Sequence, residues 1–185
     1  MIRPAVYLAI LFCLGACATS QPPAEPPPDV RFGAPVAVAP RDVRSYGADP
    51  CAGPLTASDW ESLGLTRSGS VKTLMTGERL CDRGGPNRER DVSFIVIPAR
   101  DVLVDTYRTR QFALFRPTTV GGLPATVEQS SEDSISCTIT VGTAQDQGFV
   151  VDQNEYGQGQ PDDPCGRAQQ VAERIVAALP PLPGK

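Results

Sequence analysis

Six cysteines, no histidine and several pairs of acids make up the reactive inventory of this 185-residue chain. The cysteines stand at positions 13, 17, 51, 81, 137 and 165, and no two of them have a C-x-x-C spacing. Without histidine, Ser-His-Asp and Cys-His mechanisms and histidine-bearing zinc sites are excluded. Carboxylate chemistry remains open, with Asp101 and Asp105, Glu132 and Asp133, and Asp162 and Asp163 as the pairs that could act as acid and base. Acids in turns and at helix starts are more often solvated caps, so no catalytic residue is assigned. In "DQNEYGQGQPDD", Asp152, Asn154, Gly157 and Asp163 fall at positions 1, 3, 6 and 12 of an EF-hand-like loop. Tyr156 occupies a ligand position there, Pro161 interrupts the loop and a strand enters it, so a polar surface loop without metal is expected. Arg83, Arg88 and Arg90 in "CDRGGPNRERD" could touch an anionic polymer, but Glu89 and Asp91 interleave with them, and a solvated loop is expected. No P-loop or dinucleotide fingerprint is present, and no cofactor is expected. The net charge of −4 carries no footprint for nucleic acid.

The amino terminus says where such chemistry would take place. Arg3 precedes an apolar run from Ala5 to Leu14, followed by small residues, which is the layout of a secretory signal peptide over residues 1–16. The run is shorter than the roughly 20 residues needed to span a bilayer. Leu14-Gly15-Ala16-Cys17 resembles the bacterial lipobox, and this resemblance makes Cys17 the lipidated new amino terminus, held by a diacylglyceryl group. The expected location is the extracytoplasmic face of the cell membrane, with the lipid anchor as the membrane partner. From Ala18 to Ala48 the chain is proline-rich and lacks an apolar period, which predicts a tether. At about 3.1 Å per residue in polyproline II it could reach roughly 90 Å.

Residues 49–185 have the length of one domain. In "LTASDWESLGL", Thr56 and Asp59 predict a capped helix that ends at Gly64 and carries Trp60 as a core residue rather than a ligand platform. "DVSFIVIPA" predicts an interior strand, with Val92, Phe94 and Val96 on one face and Ile95 and Ile97 on the other. "DVLVDTYRTR" predicts a short helix, and "QFALFRP" and "GLPATVEQ" predict a hairpin about Gly121-Gly122. "SISCTITVG" alternates, with Ile135, Cys137, Ile139 and Val141 on a buried face, and "QGFVVDQ" returns antiparallel to it. The fold class is therefore α+β, an antiparallel sheet of about five strands with a short amino-terminal helix and a carboxy-terminal helix packed on it.

The tripeptide Asp-Pro-Cys occurs twice, at 49–51 and 163–165. In the second copy Asp163 suits the N-cap and Pro164 the first helical position, and Ala168, Val171, Ala172, Ile175, Val176 and Leu179 form one apolar stripe. Cys165 belongs to that stripe, so docking the helix on the strand that holds Cys137 pairs these two cysteines. Cys51 and Cys81 then pair by elimination. An exported domain favours disulfides over reactive thiols, and each loop of about 30 residues is worth roughly 3–4 kcal/mol.

These motifs together resemble actinobacterial envelope lipoproteins built on a DPC-motif domain of unknown function. The matching features are Leu14 to Cys17, Asp49-Pro50-Cys51 with Leu55-Thr56, Gly122 to Ala125, Cys137-Thr138, and Asp163-Pro164-Cys165 with Val171-Ala172-Glu173. The chain departs from the family where an aromatic often follows the second cysteine, since Asp82-Arg83 stands there. The resemblance implies surface anchoring and a disulfide-bonded α+β domain, and carries no catalytic residues. The expected role is non-enzymatic binding or sensing of an envelope component, small ligand or partner protein. A carboxylate-dependent hydrolase and a structural accessory subunit are the alternatives.

Overall fold

The computed structural model describes residues 30–156 and 163–183. Its centre is a seven-stranded antiparallel sheet in the order β1-β2-β3-β7-β6-β5-β4. The strands are β1 Ser70–Thr73, β2 Arg79–Gly84, β3 Arg90–Ile97, β4 Leu114–Val120, β5 Leu123–Gln129, β6 Ser136–Ala144 and β7 Gln147–Glu155. The helices are α1 Ala57–Ser62, α2 Val102–Thr109 and α3 Pro164–Ala178. The α+β reading with an antiparallel sheet holds, but the sheet has seven strands, not about five. The two uncounted strands are β1 and β2, whose sequences SVKT and RLCDRG show no apolar alternation. β2 is a strand because β3 supplies a pairing edge, and β1 because β2 then supplies one, a condition that local pattern does not record.

One face of the sheet is the main core. Val92, Phe94, Val96, Ile139, Val141, Phe149 and Val151 meet Ala168, Val171, Ala172, Ile175 and Val176 of α3, and all of these are at most 3% exposed. α3 starts where Asp163 accepts a hydrogen bond from the Gly166 amide at 2.9 Å, with Pro164 next in the chain. The Thr56–Asp59 capping box starts α1, and Gly64, at φ +75°, lies just beyond its end. Trp60 is 1% exposed in the core. The buried face of β6 begins at Cys137 and not at Ile135, which is 48% exposed and lies just outside the strand. Both disulfides are present, Cys51–Cys81 and Cys137–Cys165, with Cα atoms 4.9 and 5.1 Å apart.

On the opposite face α2 covers only one end of the sheet. It can approach closely because Gly142 and Gly148 face each other across β6 and β7. A Cβ on Gly148 would lie 2.6 Å from the Val102 side chain, and one on Gly142 would lie 3.1 Å from that of Leu103.

The packed domain also reaches nearer the amino terminus than residue 49. Arg31 pairs with Asp101 at 2.7 Å, Ala34 is buried against Leu103 and Tyr107, and Val43 is fully buried in the main core. The Val43 amide donates to Gln147 Oε1 at 2.8 Å. Arg41 bridges to Pro181, and the Leu182 amide donates to the Pro40 carbonyl at 3.0 Å. Residues 31–48 therefore strap the domain, and the earlier part of the expected tether, from Ala18 to Asp29, lies outside the described residues. No helix among the described residues is long and apolar enough to cross a membrane.

Candidate functional site

The residues singled out by type are mostly absorbed by the architecture. All four cysteines of the domain are in disulfides, and Cys17 lies outside the described residues. Asp101 caps α2 by accepting from the Val104 amide at 3.0 Å and pairs with Arg31, while Asp105 holds Arg100 and Arg108. Glu132 and Asp133 are exposed at the rim of a hollow of about 500 Å³ that also exposes Arg116 and Asp163. Asp162, Gly157 and Pro161 lie outside the described residues, so the EF-hand-like loop is only partly seen. Its first two positions, Asp152 and Asn154, are on strand β7. No group of three metal-ligating side chains occurs among the described residues.

The arginine segment is not a simple solvated loop. Arg83 is on β2, with its guanidinium 4.9 Å from the centre of the Trp60 ring, and burial lowers its pKa. Arg90, on β3, lies 3.6 Å from Glu155, which is only 6% exposed. Glu155 also takes Arg167 of α3 at 3.3 Å and accepts a hydrogen bond from Gln153 at 3.1 Å. This network ties α3 to β3 and β7. A buried carboxylate facing two guanidinium groups is an anchor whose loss would strand charge.

The strand register creates a different group on the sheet face away from α3. Glu128 stands opposite Thr138, Thr138 opposite Asp152, Asp152 opposite Ser93, and Ser93 opposite Asp82. Directly opposed residues in antiparallel strands share a face, so these five form one transverse row. One step along, Ser136, Asn154 and Asp91 form a second polar row. The Thr138 hydroxyl donates to Asp152 at 3.1 Å, the Asn154 amide donates to Asp91 at 3.1 Å, and Lys72 pairs with Asp82. Burial raises the Asp152 pKa, opposed in part by the Thr138 hydrogen bond. The Tyr156 phenol is also raised, by burial first and then by Asp91.

Glu128 is the outlier of the row. It is 5% exposed and has no hydrogen-bond or ion partner among the described residues. Burial alone pushes its carboxyl up to about 7. Two residues earlier on the same face, Thr126 is fully buried, and its Oγ1 has no partner. The nearest strand neighbour, Phe115, stands directly opposite Glu128, and its ring makes an edge contact with Tyr107 and lies under Arg110. Most buried polar atoms in folded proteins are satisfied, and leaving one without a partner costs about 1–3 kcal/mol. Among the described residues Thr126 Oγ1 is such an atom, and it stands beside the partnerless Glu128 at the end of an acidic row, which makes this face the candidate site.

Sequence reasoning missed it. The alternation in "GLPATVEQ" puts Thr126 and Glu128 opposite Leu123, Ala125 and Val127, which reads as an ordinary solvent side. The missing fact was that β4, β6 and α2 surround that side.

A family model described as a protein of unknown function, DUF3558, matches residues 12–178. The chain belongs to the DUF3558 family. That match runs from the amino-terminal apolar run through α3, so it takes in Cys17, the strap, both disulfides and the whole sheet of this DUF3558 protein. No curated protein and no solved structure matches the chain.

Proposed function

We propose that this DUF3558 protein is an exported lipoprotein of the actinobacterial envelope type, anchored through a lipidated Cys17 at the outer side of the cell membrane. Its α+β domain is a non-enzymatic binding module for an envelope component, small ligand or partner protein, with the acid-lined sheet face as its docking surface. The observation that carries the binding reading is Glu128, a glutamate only 5% exposed whose carboxyl has no partner among the described residues, at the end of that row. The anchoring reading is supported by the order of Arg3, the apolar run and Leu14 to Cys17, and by a family match that starts at residue 12.

Two measurements test it. Metabolic labelling with an alkyne fatty acid should tag the full chain and fractionate it with membranes, and Cys17→Ala should abolish both. A labelled or membrane-bound Cys17→Ala protein removes the anchor proposal. In-cell cross-linking from Thr138, read by mass spectrometry, should yield a reproducible adduct, and repeated absence of one removes the binding reading.

One observation favours a second reading as a carboxylate-dependent hydrolase. Glu128 holds a proton near neutral pH, and Asp152 lies two strands away, about 9.5 Å at normal strand spacing. That is at the upper end of the separation used by inverting glycosidases. Turnover of a glycoside that is lost in both Glu128→Gln and Asp152→Asn would support the hydrolase over the binding module.

A further inference from the structure

We propose that the acidic row of the open sheet face is a binding site for a small linear aliphatic amine, with an ammonium group paired to the Glu128 carboxylate; this rests on the binding-module reading above. The Glu128 side chain is only 5% exposed, and its carboxylate, which keeps its contact with solvent, has no donor among the described residues. An ammonium carries three donors and a full positive charge, so one group can satisfy the Glu128 carboxylate. A neutral donor would leave the carboxylate charge uncompensated.

The surroundings specify sign and shape. Phe115 of β4 and Thr138 of β6 stand opposite Glu128, and Phe115 in turn touches Tyr107 of α2 and Arg110 just beyond that helix. Arg110 is stacked on Phe115 and forms no ion pair with Glu128. Farther along the face, Asp152 and Asp91 accept hydrogen bonds only from neutral groups among the described residues, and Lys72 serves Asp82. The face thus carries negative charge in excess. A second copy of a chain with net charge −4 does not complement it. Glu128 and Asp152 are about 9.5 Å apart across two strand spacings, a span that a flexible polymethylene chain with two nitrogens can bridge. The adjacent row contains Val150 and Ile95, both half-buried, which offer the methylenes an apolar track.

Protons and the amine compete for Glu128, so binding should release a proton and strengthen as pH rises. For a carboxyl titrating near 7, the ionised fraction grows about ten-fold between pH 6 and pH 8, and affinity should follow it.

The experiment is calorimetric titration of spermidine into the full chain in detergent micelles at low salt, at both pH values. Wild type should bind about ten-fold more tightly at pH 8. Glu128→Gln should lose at least ten-fold in affinity at pH 8 and all of the pH dependence, while Glu61→Gln on α1 changes neither. Circular dichroism checks the fold of each variant, and Asp152→Asn, which should also weaken binding, serves if Glu128→Gln does not fold. Spermidine affinity unchanged in both variants, or no binding at millimolar concentration, overturns the proposal. So does binding of a lysine-rich peptide by a protein on which spermidine is silent. If spermidine is silent and the Thr138 cross-linker captures a neutral or anionic molecule, the amine assignment falls and the binding module stands. With no adduct either, both fall.

Discussion

Glu128 shows how one residue can set the pH response of the domain. Its folded pKa, about 7, lies above the ordinary glutamate value that it has when unfolded. The folded state therefore holds the proton more tightly, and the associated stability is complete below about pH 4.5 and is lost as pH rises through about 7. Glu128→Gln imitates the protonated form at every pH. Without ligand it should be more stable than wild type by about 1–2 kcal/mol at pH 8, after allowance for solvent screening at the rim, and equal to it at pH 4.5. Urea melts at the two pH values check this, and a constant difference between the proteins would contradict it. Glu155 makes the opposite case, because its carboxylate is matched by Arg90 and Arg167. Glu155→Gln should destabilise by about 3 kcal/mol, since it leaves two guanidinium groups facing a neutral amide. Chemical denaturation at pH 7 measures this directly.

At the scale of elements, the clearest relation is that between α3 and β6. The stripe from Ala168 to Leu179 and the alternation through Cys137, Ile139 and Val141 are both legible as buried faces, and only one pairing of cysteines lets them meet. The Cys137–Cys165 disulfide joins them at the start of each. Replacing both cysteines with serine should cost about 3 kcal/mol, with α3 amides losing protection first in hydrogen exchange. Uniform loss across the sheet would show that the bridge staples no particular helix. By contrast, β1 and β2 could not be read from their own residues. Val71 is only half-buried, and Arg83 owes its place to the Trp60 ring and not to a hydrophobic period. Polar edge strands form where a neighbouring strand offers hydrogen-bonding groups, and β3 makes that offer to β2 and β2 to β1.

At the scale of the whole molecule, the strap from Arg31 to Ala48 decides where the domain begins. It is proline-rich and lacks periodicity, so it reads as tether, yet Val43 sits in the core with its amide on Gln147. Gln147→Ala should remove that acceptor and cost about 1–3 kcal/mol, with increased protease cleavage before Asp49. Unchanged cleavage would mean that the strap is held elsewhere. The residues alone determined the local features: helix caps at Thr56 and Asp163, the glycine hairpin, the alternation of β6 and the exclusion of histidine chemistry. These depend on neighbours within a few positions, where sterics and hydrogen bonding are set by the chain itself. Tertiary structure alone decided strand order, the burial of the strap and the meeting of Glu128, Thr138 and Asp152. Those three residues lie on separate strands, and only the cross-strand register brings their side chains to one face, where burial by β4, β6 and α2 turns an ordinary glutamate into an unpartnered one.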